Sequence, residues 1–227
     1  MNRATEVVLA ALIFAPLVPI LILISALILI IDGRPIFFLS RRMSSPTRSF
    51  LMIKFRTMSP GSDVGVTGGD KSGRVSPLGN ILRRTRLDEL PQILNILAGH
   101  MAFVGPRPPT PEYVAKEPDV FKRLLSGRPG VTGLATLVIH ERERRLLSAG
   151  RTADAVDRIY RQRCLPKKAQ IDFLYFRNRN TAFDLWLMVL TALRVFEGRP
   201  NGRLYRRRRA RTARHGSAIH HASFANV

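Results

Sequence analysis

A long apolar run near the amino terminus limits the folds open to this chain more than any other feature. The 227-residue sequence has no charged residue between Val7 and Ile31. A helix rises ~1.5 Å per residue, so this run is long enough to cross the core of a bilayer. Pro16 and Pro19 lie near its middle, and each removes a backbone donor and crowds the preceding turn, so a bend is expected there.

Charges on either side of the run indicate its orientation. Arg34, Arg41 and Arg42 follow it closely, whereas only Arg3 and the amino terminus precede it. The positive-inside rule therefore places the bulk of the chain in the cytoplasm. The residues alone leave two topologies open, a kinked single-pass helix and a re-entrant helix, with a slight preference for the single pass. A signal peptide is disfavoured because the run is too long and no clear cleavage site follows it.

The rest of the chain is strongly basic. A formal net charge of +21 suits an anionic membrane surface, phosphorylated substrates or nucleic acid. No nucleic-acid recognition module is present in the sequence, so that partner is not expected. The tail from Arg199 holds Arg206 to Arg209 and few apolar residues, which predicts a disordered segment attracted to anionic lipids. Cys164 is the only cysteine, so no intramolecular disulfide can form.

Apolar periodicity predicts a few short strands among helices. Residues 36–39 and 49–55 are consistent with strands or with segments lying on the membrane. Ser76 and Pro77 predict a helix start, as N-cap and first helical residue. The remaining predictions are a mobile loop at 59–73, helices at 87–98 (with Gly99 as its stop), 118–125, 140–163 and 183–196, and a strand at 134–139.

The most suggestive chemistry lies at Asp88 and Glu89, directly after Arg83, Arg84 and Arg86. Acidic residues in a first helical turn often only complement the helix dipole, and the dyad alone favours that interpretation. A capping box between residues 85 and 88 would be one form of it. The arginines change the balance, because they would hold both carboxylates ionised and attract phosphate oxygens. An ionised aspartate can then attack phosphorus, and a neighbouring glutamate can hold Mg²⁺.

Several blocks, in this order, resemble the bacterial sugar transferase family, the small monotopic polyprenyl-phosphate phosphoglycosyl transferases. The resemblance covers nearly everything before about Arg199, and so many ordered motifs make it highly specific. After the membrane segment, the matching blocks are Lys-Phe-Arg-Thr-Met (54–58), Leu-Asp-Glu-Leu-Pro-Gln (87–92), Asn-Ile-Leu-Ala-Gly (95–99), Val-Gly-Pro-Arg-Pro (104–108), Arg-Pro-Gly-Val-Thr-Gly (128–133) and Phe-Asp-Leu-Trp (183–186).

The resemblance implies an α-rich α/β catalytic domain (35–198) on the cytoplasmic face of the bacterial inner membrane. It implies an anchor (1–34) that is a re-entrant membrane helix bent at Pro19, with Pro16 as second candidate, which reverses the preference for a single pass. A few short strands, a C-terminal interfacial amphipathic helix and a separate basic tail (199–227) complete the expected architecture.

The reaction implied is transfer of a sugar-1-phosphate from a nucleoside diphosphate sugar, a UDP-sugar in the first instance, to undecaprenyl phosphate. Asp88 would be the nucleophile, and Glu89 with Asp88 would hold Mg²⁺. The expected partners are the donor, the lipid acceptor, anionic lipids and either downstream glycosyltransferases or a second copy of the chain. The residues expected to bind substrate phosphates are Lys54, Arg83, Arg107 and Arg128.

Two departures from the family pattern concern the donor. Residues 134–137 replace a turn that usually contains a glutamine, and the charged stretch 140–168 is not typical of the family. Both regions are expected to touch the donor, so the sequence does not identify the sugar or the base. Two competing hypotheses are a homologue with altered or lost donor use, and a membrane-tethered basic binding protein without catalysis.

Overall fold

The amino-terminal apolar run forms one long helix. A computed structural model of the chain describes residues 1–58, 75–150 and 152–196, so the predicted loop at 59–73 and the tail at 199–227 lie outside the described residues. Helix α1 (Arg3–Ile31) continues through Pro16 and Pro19 without interruption. Within the described ranges it is the one helix long and apolar enough to cross a membrane. The predicted helix is confirmed, and a bend at either proline stays a prediction.

One face of α1 packs against the rest of the protein near both of its ends. Ala10 is fully buried in a cluster with Phe50 and Ile96, and Ile28, near the other end, packs with Phe55. The opposite face is open and apolar, with exposed side chains at Leu12, Ile22, Leu23, Ile30 and Ile31. One side of the helix therefore packs against the protein, and the other side can contact an apolar environment.

Polar contacts fix both ends of α1 to the same body. Near the start, the Arg3 guanidinium donates to the carbonyls of Ile96 and Leu97 at 2.6 and 2.7 Å. Just past the helix end, the buried Arg56 guanidinium donates to the three carbonyls of residues 32–34, at 2.6, 2.7 and 2.9 Å. The last carbonyls of a helix and the turn after it lack helical partners, so this arginine takes over their hydrogen bonding.

The two predicted strands pair as a hairpin. Strands β1 (Phe37–Met43) and β2 (Ser49–Phe55) are antiparallel, and strand alternation places Arg42 and Lys54 on the same face of it. The free edge of β2 is bound by Asn95, which accepts from the N–H of residue 53 at 3.0 Å and donates to the carbonyl of residue 51 at 2.8 Å. The hairpin is thereby attached to the segment that follows the acidic dyad.

Helix α2 (Pro77–Thr85) begins where the sequence predicts. The Ser76 hydroxyl caps it by accepting from the N–H of Gly79 at 2.8 Å. The predicted capping box beyond it is wrong, because the Thr85 hydroxyl donates back to the carbonyls of Ile81 and Leu82.

The predicted continuous helix over 87–98 is also wrong. A 3₁₀ turn (Leu87–Glu89) is followed by a short helix α3 (Gln92–Leu97). Pro91 lacks a backbone N–H, so it cannot continue a hydrogen-bonded helix from the dyad. The predicted stop is confirmed at Gly99, which has φ of 84°.

A proline-rich segment carries Arg107 between two strands. Strand β3 (Ala102–Val104) pairs in parallel with β4 (Gly130–Thr132). The Gly105 N–H donates to the carbonyl of residue 132, and the N–H of residue 130 donates to Pro106, both at 2.9 Å. A β-carbon on Gly105 would stand 2.6 Å from the carbonyl oxygen of Arg128, so glycine permits this close approach of two backbones.

Helices make up the rest of the described chain. Helix α5 (Pro118–Leu124) agrees with the predicted helix at 118–125 and follows α4 (Pro111–Lys116). The predicted strand at 134–139 is wrong and the predicted helix at 140–163 is divided. The observed elements are α6 (Leu134–Leu147), α7 (Ala153–Ile159), a π-helical turn (Tyr160–Cys164), α8 (Leu165–Asn178) and α9 (Thr181–Phe196).

The start of α6 packs against two other helices. Leu137 of α6 is buried in one cluster with Tyr175 of α8 and Leu187 of α9. Asp172 of α8 is also buried, which raises the pKa of its carboxyl to about 7, and the backbone of Ala135 partly offsets this shift. Tertiary packing thus accompanies a helix where local composition favours a strand.

Helix α9 has the two-sided character that the sequence predicts. Leu187 is fully buried, whereas the exposed side chains along the helix are Leu185, Trp186, Val189 and Leu193. An exposed apolar stripe that includes tryptophan is typical of helices at a membrane interface. The amphipathic helix is confirmed, and its position at the interface stays a prediction.

We predict that Arg56→Lys destabilises the protein. An ammonium group cannot reach three consecutive carbonyls as a guanidinium does, so acceptors just past the end of α1 would lose their partner, at a cost of about 2 kcal/mol. Chemical unfolding in detergent micelles measures the change. Arg41→Lys, at an exposed position of β1, is the matched control and should be neutral; equal stability of the two variants would contradict the capping role.

Candidate active site

The carboxylate of Glu89 joins three segments that are distant in sequence. Its Oε1 accepts from Lys54 Nζ at 2.8 Å and from Arg107 Nη2 at 2.6 Å. Its Oε2 lies 3.7 Å from Nη1 of Arg86. Lys54 comes from β2 and Arg107 from the segment after β3, so one acidic side chain holds the hairpin, the 3₁₀ turn and the proline-rich segment together.

The backbone before the dyad has an unusual conformation. Arg86 has φ of 56°, the left-handed region that residues with a β-carbon seldom occupy. Such a residue costs on the order of 1–3 kcal/mol, and surrounding structure must hold it in place. It ends α2 and turns the chain, so that Asp88 and Glu89 lie in a separate turn rather than in the first turn of a regular helix.

The electrostatics of the cluster keep Glu89 charged. Burial acts to raise the pKa of Glu89, but the charges and hydrogen bonds of Arg107 and Lys54 outweigh it and hold that pKa well below its usual range. The same pairing raises the pKa of Arg107. For Lys54, burial and then Arg107 lower the pKa of the ammonium. Glu89 is thus an ionised carboxylate whose Oε1 is engaged by two cations.

Asp88 differs from its neighbour. Among the residues that the structure describes, its carboxylate makes no hydrogen bond or ion pair. Burial and the charge of Glu89 raise its pKa, and Lys54, Arg83 and Arg107 only partly offset this. An ionised carboxylate without a bound proton donor retains its lone pairs for reaction. The dyad therefore contains one engaged carboxylate and one available carboxylate.

The other two predicted phosphate-binding residues occupy different surroundings. Arg83 is exposed and its Nε donates to the Thr57 hydroxyl at 2.7 Å, close enough to Asp88 to affect its pKa. Arg128 instead forms an ion pair with the buried Glu6 of α1, at 2.6 Å. The structure thus brings Lys54, Arg83 and Arg107 to the dyad and directs Arg128 to helix α1; the proposed phosphate-binding roles stay predictions.

Sequence reasoning missed Arg42 as a member of the cluster. It lies on the same face of the hairpin as Lys54, and its Nε donates to the Ser40 hydroxyl at 3.1 Å. Burial and the nearby charge of Arg107 lower its pKa to about 10. Strand alternation with Lys54 was the available signal, but it could be used only with the register of the hairpin known.

Cations outnumber anions at this site. Glu89 and Asp88 supply two negative charges, against the positive charges of Lys54, Arg42, Arg83, Arg86 and Arg107. A partly buried excess of positive charge is unfavourable unless an anion compensates it. Guanidinium groups bind phosphate oxygens in a bidentate manner, so the arrangement can bind a diphosphate beside an available carboxylate.

The described residues contain no group of three or more His, Cys, Asp or Glu side chains that could hold a metal ion by themselves. Mg²⁺ commonly takes only one or two protein carboxylates and completes its shell with water and substrate phosphates. The oxygens of Asp88, which have no partner among the described residues, and Oε2 of Glu89 could form such a partial donor set.

Comparison with known proteins gives curated relatives with named activities. The chain is 32% identical over 198 residues to a "UDP-glucose:undecaprenyl-phosphate glucose-1-phosphate transferase" of Xanthomonas campestris pv. campestris, which covers 83% of this chain and 37% of the relative. It is 34% identical over 199 residues to a "UDP-N-acetylgalactosamine-undecaprenyl-phosphate N-acetylgalactosaminephosphotransferase" of Aeromonas hydrophila, covering 83% and 41%. The chain thus spans about two fifths of the length of these relatives.

A shorter relative is covered more completely. The "Exopolysaccharide production protein ExoY" of Sinorhizobium fredii (strain NBRC 101917 / NGR234) is 34% identical over 150 residues, which is 59% of this chain and 66% of the relative. The family model described as "Bacterial sugar transferase" matches residues 1–198, and so includes α1, the acidic dyad and every described helix. This chain therefore belongs to the bacterial sugar transferase family.

Proposed function

We propose that the protein transfers a sugar-1-phosphate from a nucleoside diphosphate sugar, in the first instance a UDP-sugar, to undecaprenyl phosphate. The names of the relatives support this donor and acceptor class. The observation that carries the proposal is that the carboxylate of Asp88 has no hydrogen-bond or ion-pair partner within the described part of the chain, beside Lys54, Arg107 and the engaged Glu89. The product would start a polysaccharide or another glycoconjugate.

The reaction proceeds in two displacements. An oxygen of Asp88 attacks the donor phosphorus that carries the sugar, and the bond from that phosphorus to the nucleoside monophosphate breaks, with the electron pair leaving on the monophosphate. An oxygen of undecaprenyl phosphate then attacks the same phosphorus, and the acyl phosphate bond breaks to restore the carboxylate. Covalent catalysis divides one difficult exchange into two easier steps and lets donor and acceptor use one site in turn.

The surrounding cations support both steps. Arg107 and Lys54 are held by Glu89 in fixed positions, and preorganised charges stabilise developing negative charge without reorganising during reaction. Arg42 and Arg83 add positive charge near the dyad, Arg42 close to Glu89 and Arg83 close to Asp88. Bound Mg²⁺, held by Asp88 and Glu89 oxygens together with substrate phosphates, would neutralise part of the diphosphate charge.

The proposed setting is monotopic, with the catalytic domain (35–198) on the cytoplasmic face of the inner membrane. The contacts at both ends of α1 support it: Arg3 near the start and Arg56 past the end bind the two ends within one domain. A single-pass helix would put its first residues on the face of the bilayer opposite the domain. A re-entrant helix (1–34) is compatible with both sets of contacts, and the basic tail (199–227) would lie on anionic lipids.

We predict that Asp88→Asn abolishes transfer. The amide has no charge and is a poor nucleophile, so release of nucleoside monophosphate from donor alone should fall by at least about 1,000-fold. Rapid quench with radiolabelled donor measures the release, and intact-protein mass spectrometry detects the sugar-phosphate adduct on the wild type. Asp119→Asn, at an exposed position of α5, is the control and should retain activity. Rapid turnover by Asp88→Asn would reject the nucleophile assignment, and release by the wild type only after acceptor addition would indicate direct transfer.

The same variant should be more stable than the wild type at neutral pH. The pKa of Asp88 is raised above the ordinary value of 3.8 by burial and by Glu89. Its ionisation therefore begins to oppose folding as the pH rises above 3.8, and the effect is complete once the pH exceeds the raised pKa. An asparagine does not carry this charge. Thermal unfolding as a function of pH should show a higher Tm for Asp88→Asn at pH 7 and no difference near pH 3. A lower Tm at pH 7 would contradict the electrostatic analysis.

The topology can be tested separately from catalysis. A cysteine at Asn2, in a Cys164→Ala background, should remain unlabelled by a membrane-impermeant maleimide in intact cells and react after lysis, because a re-entrant helix returns its start to the cytoplasm. A fusion of the same tagged segment to a known single-pass helix is the positive control. Labelling of the Asn2→Cys variant in intact cells would reject the monotopic arrangement.

A further inference from the structure

A second polar cluster adjoins the phosphate-binding residues and takes no part in the steps above. Lys168 of α8 binds both carboxylate oxygens of Glu143 of α6, at 2.8 and 3.1 Å. These side chains are only 13% and 15% exposed. The Lys168 ammonium lies 5.5 Å from the ring centroid of Tyr160, in the π-helical turn. The centroids of the Tyr160 and Tyr113 rings are 4.6 Å apart.

The start of α6 lies close to the segment that carries Arg107. A β-carbon added at Gly133, the residue before α6, would collide with the carbonyl of Gly105, two residues before Arg107.

The aromatic neighbours of the cluster lie close to the hairpin. Tyr113 and Tyr160 pack in one cluster with Met43, the residue after Arg42. Glu143 also helps to raise the pKa of Arg107, after the larger effect of Glu89. The Glu143–Lys168 cluster therefore lies beside the residues proposed to bind the diphosphate.

The ion pairs formed by Glu141 and Glu143 of α6 differ in how far they are buried. Glu141 binds Arg144 and Arg145 on the surface, where those arginines are 61% and 72% exposed. Such pairs contribute little. Glu143 points inward instead, and a mostly buried ion pair carries a desolvation cost that packing alone would avoid. Tyr160, the aromatic neighbour of Lys168, lies in a π-helical turn. Such turns are rare in proteins, and they are often found at functional sites.

The chemistry of the cluster suits a polyhydroxylated group. A carboxylate accepts hydrogen bonds from two adjacent hydroxyls, an ammonium donates to their oxygens, and an aromatic ring packs against the apolar face of a sugar ring. A nucleotide sugar has such hydroxyls on either side of its diphosphate, on the ribose and on the transferred sugar. Both lie next to any phosphate bound by Arg107.

We propose that Glu143, oriented by Lys168 and Tyr160, binds vicinal hydroxyl groups of the donor and so contributes to donor selection. This inference rests on the proposed function, because it takes the diphosphate at Arg107 as its reference point. It assigns a role to the charged stretch 140–168, which departs from the family pattern. Lys168 and Tyr160 act as positioning residues for the carboxylate.

The test pairs one enzyme substitution with the removal of single substrate hydroxyls. Wild type and Glu143→Gln are assayed with UDP-glucose and UDP-N-acetylgalactosamine, with their 2′-deoxyuridine counterparts, and with donors lacking one hydroxyl of the hexose. We expect Glu143→Gln to raise KM by about 10-fold or more with a small change in kcat. Removal of a hydroxyl that Glu143 binds should raise the KM of the wild type and leave the KM of the variant unchanged.

Each outcome has a defined meaning. If Glu143→Gln abolishes the effect of removing the ribose hydroxyl, the inference is supported and the cluster contacts the nucleoside. If it abolishes the effect of removing a hexose hydroxyl, the inference is supported and the cluster contacts the sugar. Glu141→Gln, on the same helix, should show neither effect, and Glu143→Asp should recover part of the affinity. If Glu143→Gln lowers thermal stability and shows no coupling to any hydroxyl, the pair is structural and the inference is wrong.

Binding measurements separate this inference from the proposed function. Calorimetry of UDP-sugars with Asp88→Asn, and with Asp88→Asn combined with Glu143→Gln, reports donor affinity without turnover. Weaker donor binding by the double variant supports the role of Glu143, even if the wild type shows no transfer. In that case only the proposed function fails. Equal binding by the two proteins, or no binding of any donor, overturns the inference.

Discussion

The hydrogen bonds from Lys54 and Arg107 to one oxygen of Glu89 are the contact on which the site depends. They bring together a hairpin, a 3₁₀ turn and a proline-rich segment. Lys54 and Arg107 themselves are 53 positions apart in the sequence. Because Glu89 neutralises part of this positive charge, the remaining cations can face a substrate without being driven apart. Breaking either bond would leave a buried charge unpaired, which is strongly unfavourable.

The same arrangement leaves Asp88 as the available carboxylate. Its pKa is raised by burial and by Glu89, so ionisation of Asp88 opposes folding while it prepares the proposed nucleophile. The left-handed Arg86 just before it adds local backbone strain. Strain and unfavourable charge concentrated at one turn are typical of functional sites, where stability is lower than the fold would otherwise permit.

Sequence patterns were sufficient at several places where local chemistry decides structure, although Pro91 divides the predicted helix over 87–98. The apolar composition of residues 7–31 predicts α1, the serine-proline pair predicts the start of α2, and a glycine predicts the end of α3. They failed where distant residues compete with local preference. Residues 134–139 have strand-like composition, yet they belong to a helix that packs against α8 and α9. Arg42 was missed because the hairpin register, not its own neighbours, brings it to the site.

The sequence by itself determined the long apolar helix, the identity of the acidic dyad and the ordered motifs of the family, because these depend on residue type and spacing along the chain. The tertiary structure decided which carboxylate is engaged and which is available, since Lys54 and Arg107 reach Glu89 only after the chain has folded. It also decided that Arg128 binds Glu6 of α1 rather than the dyad. Charge interactions depend on distance in space, and spacing along the chain does not specify that distance.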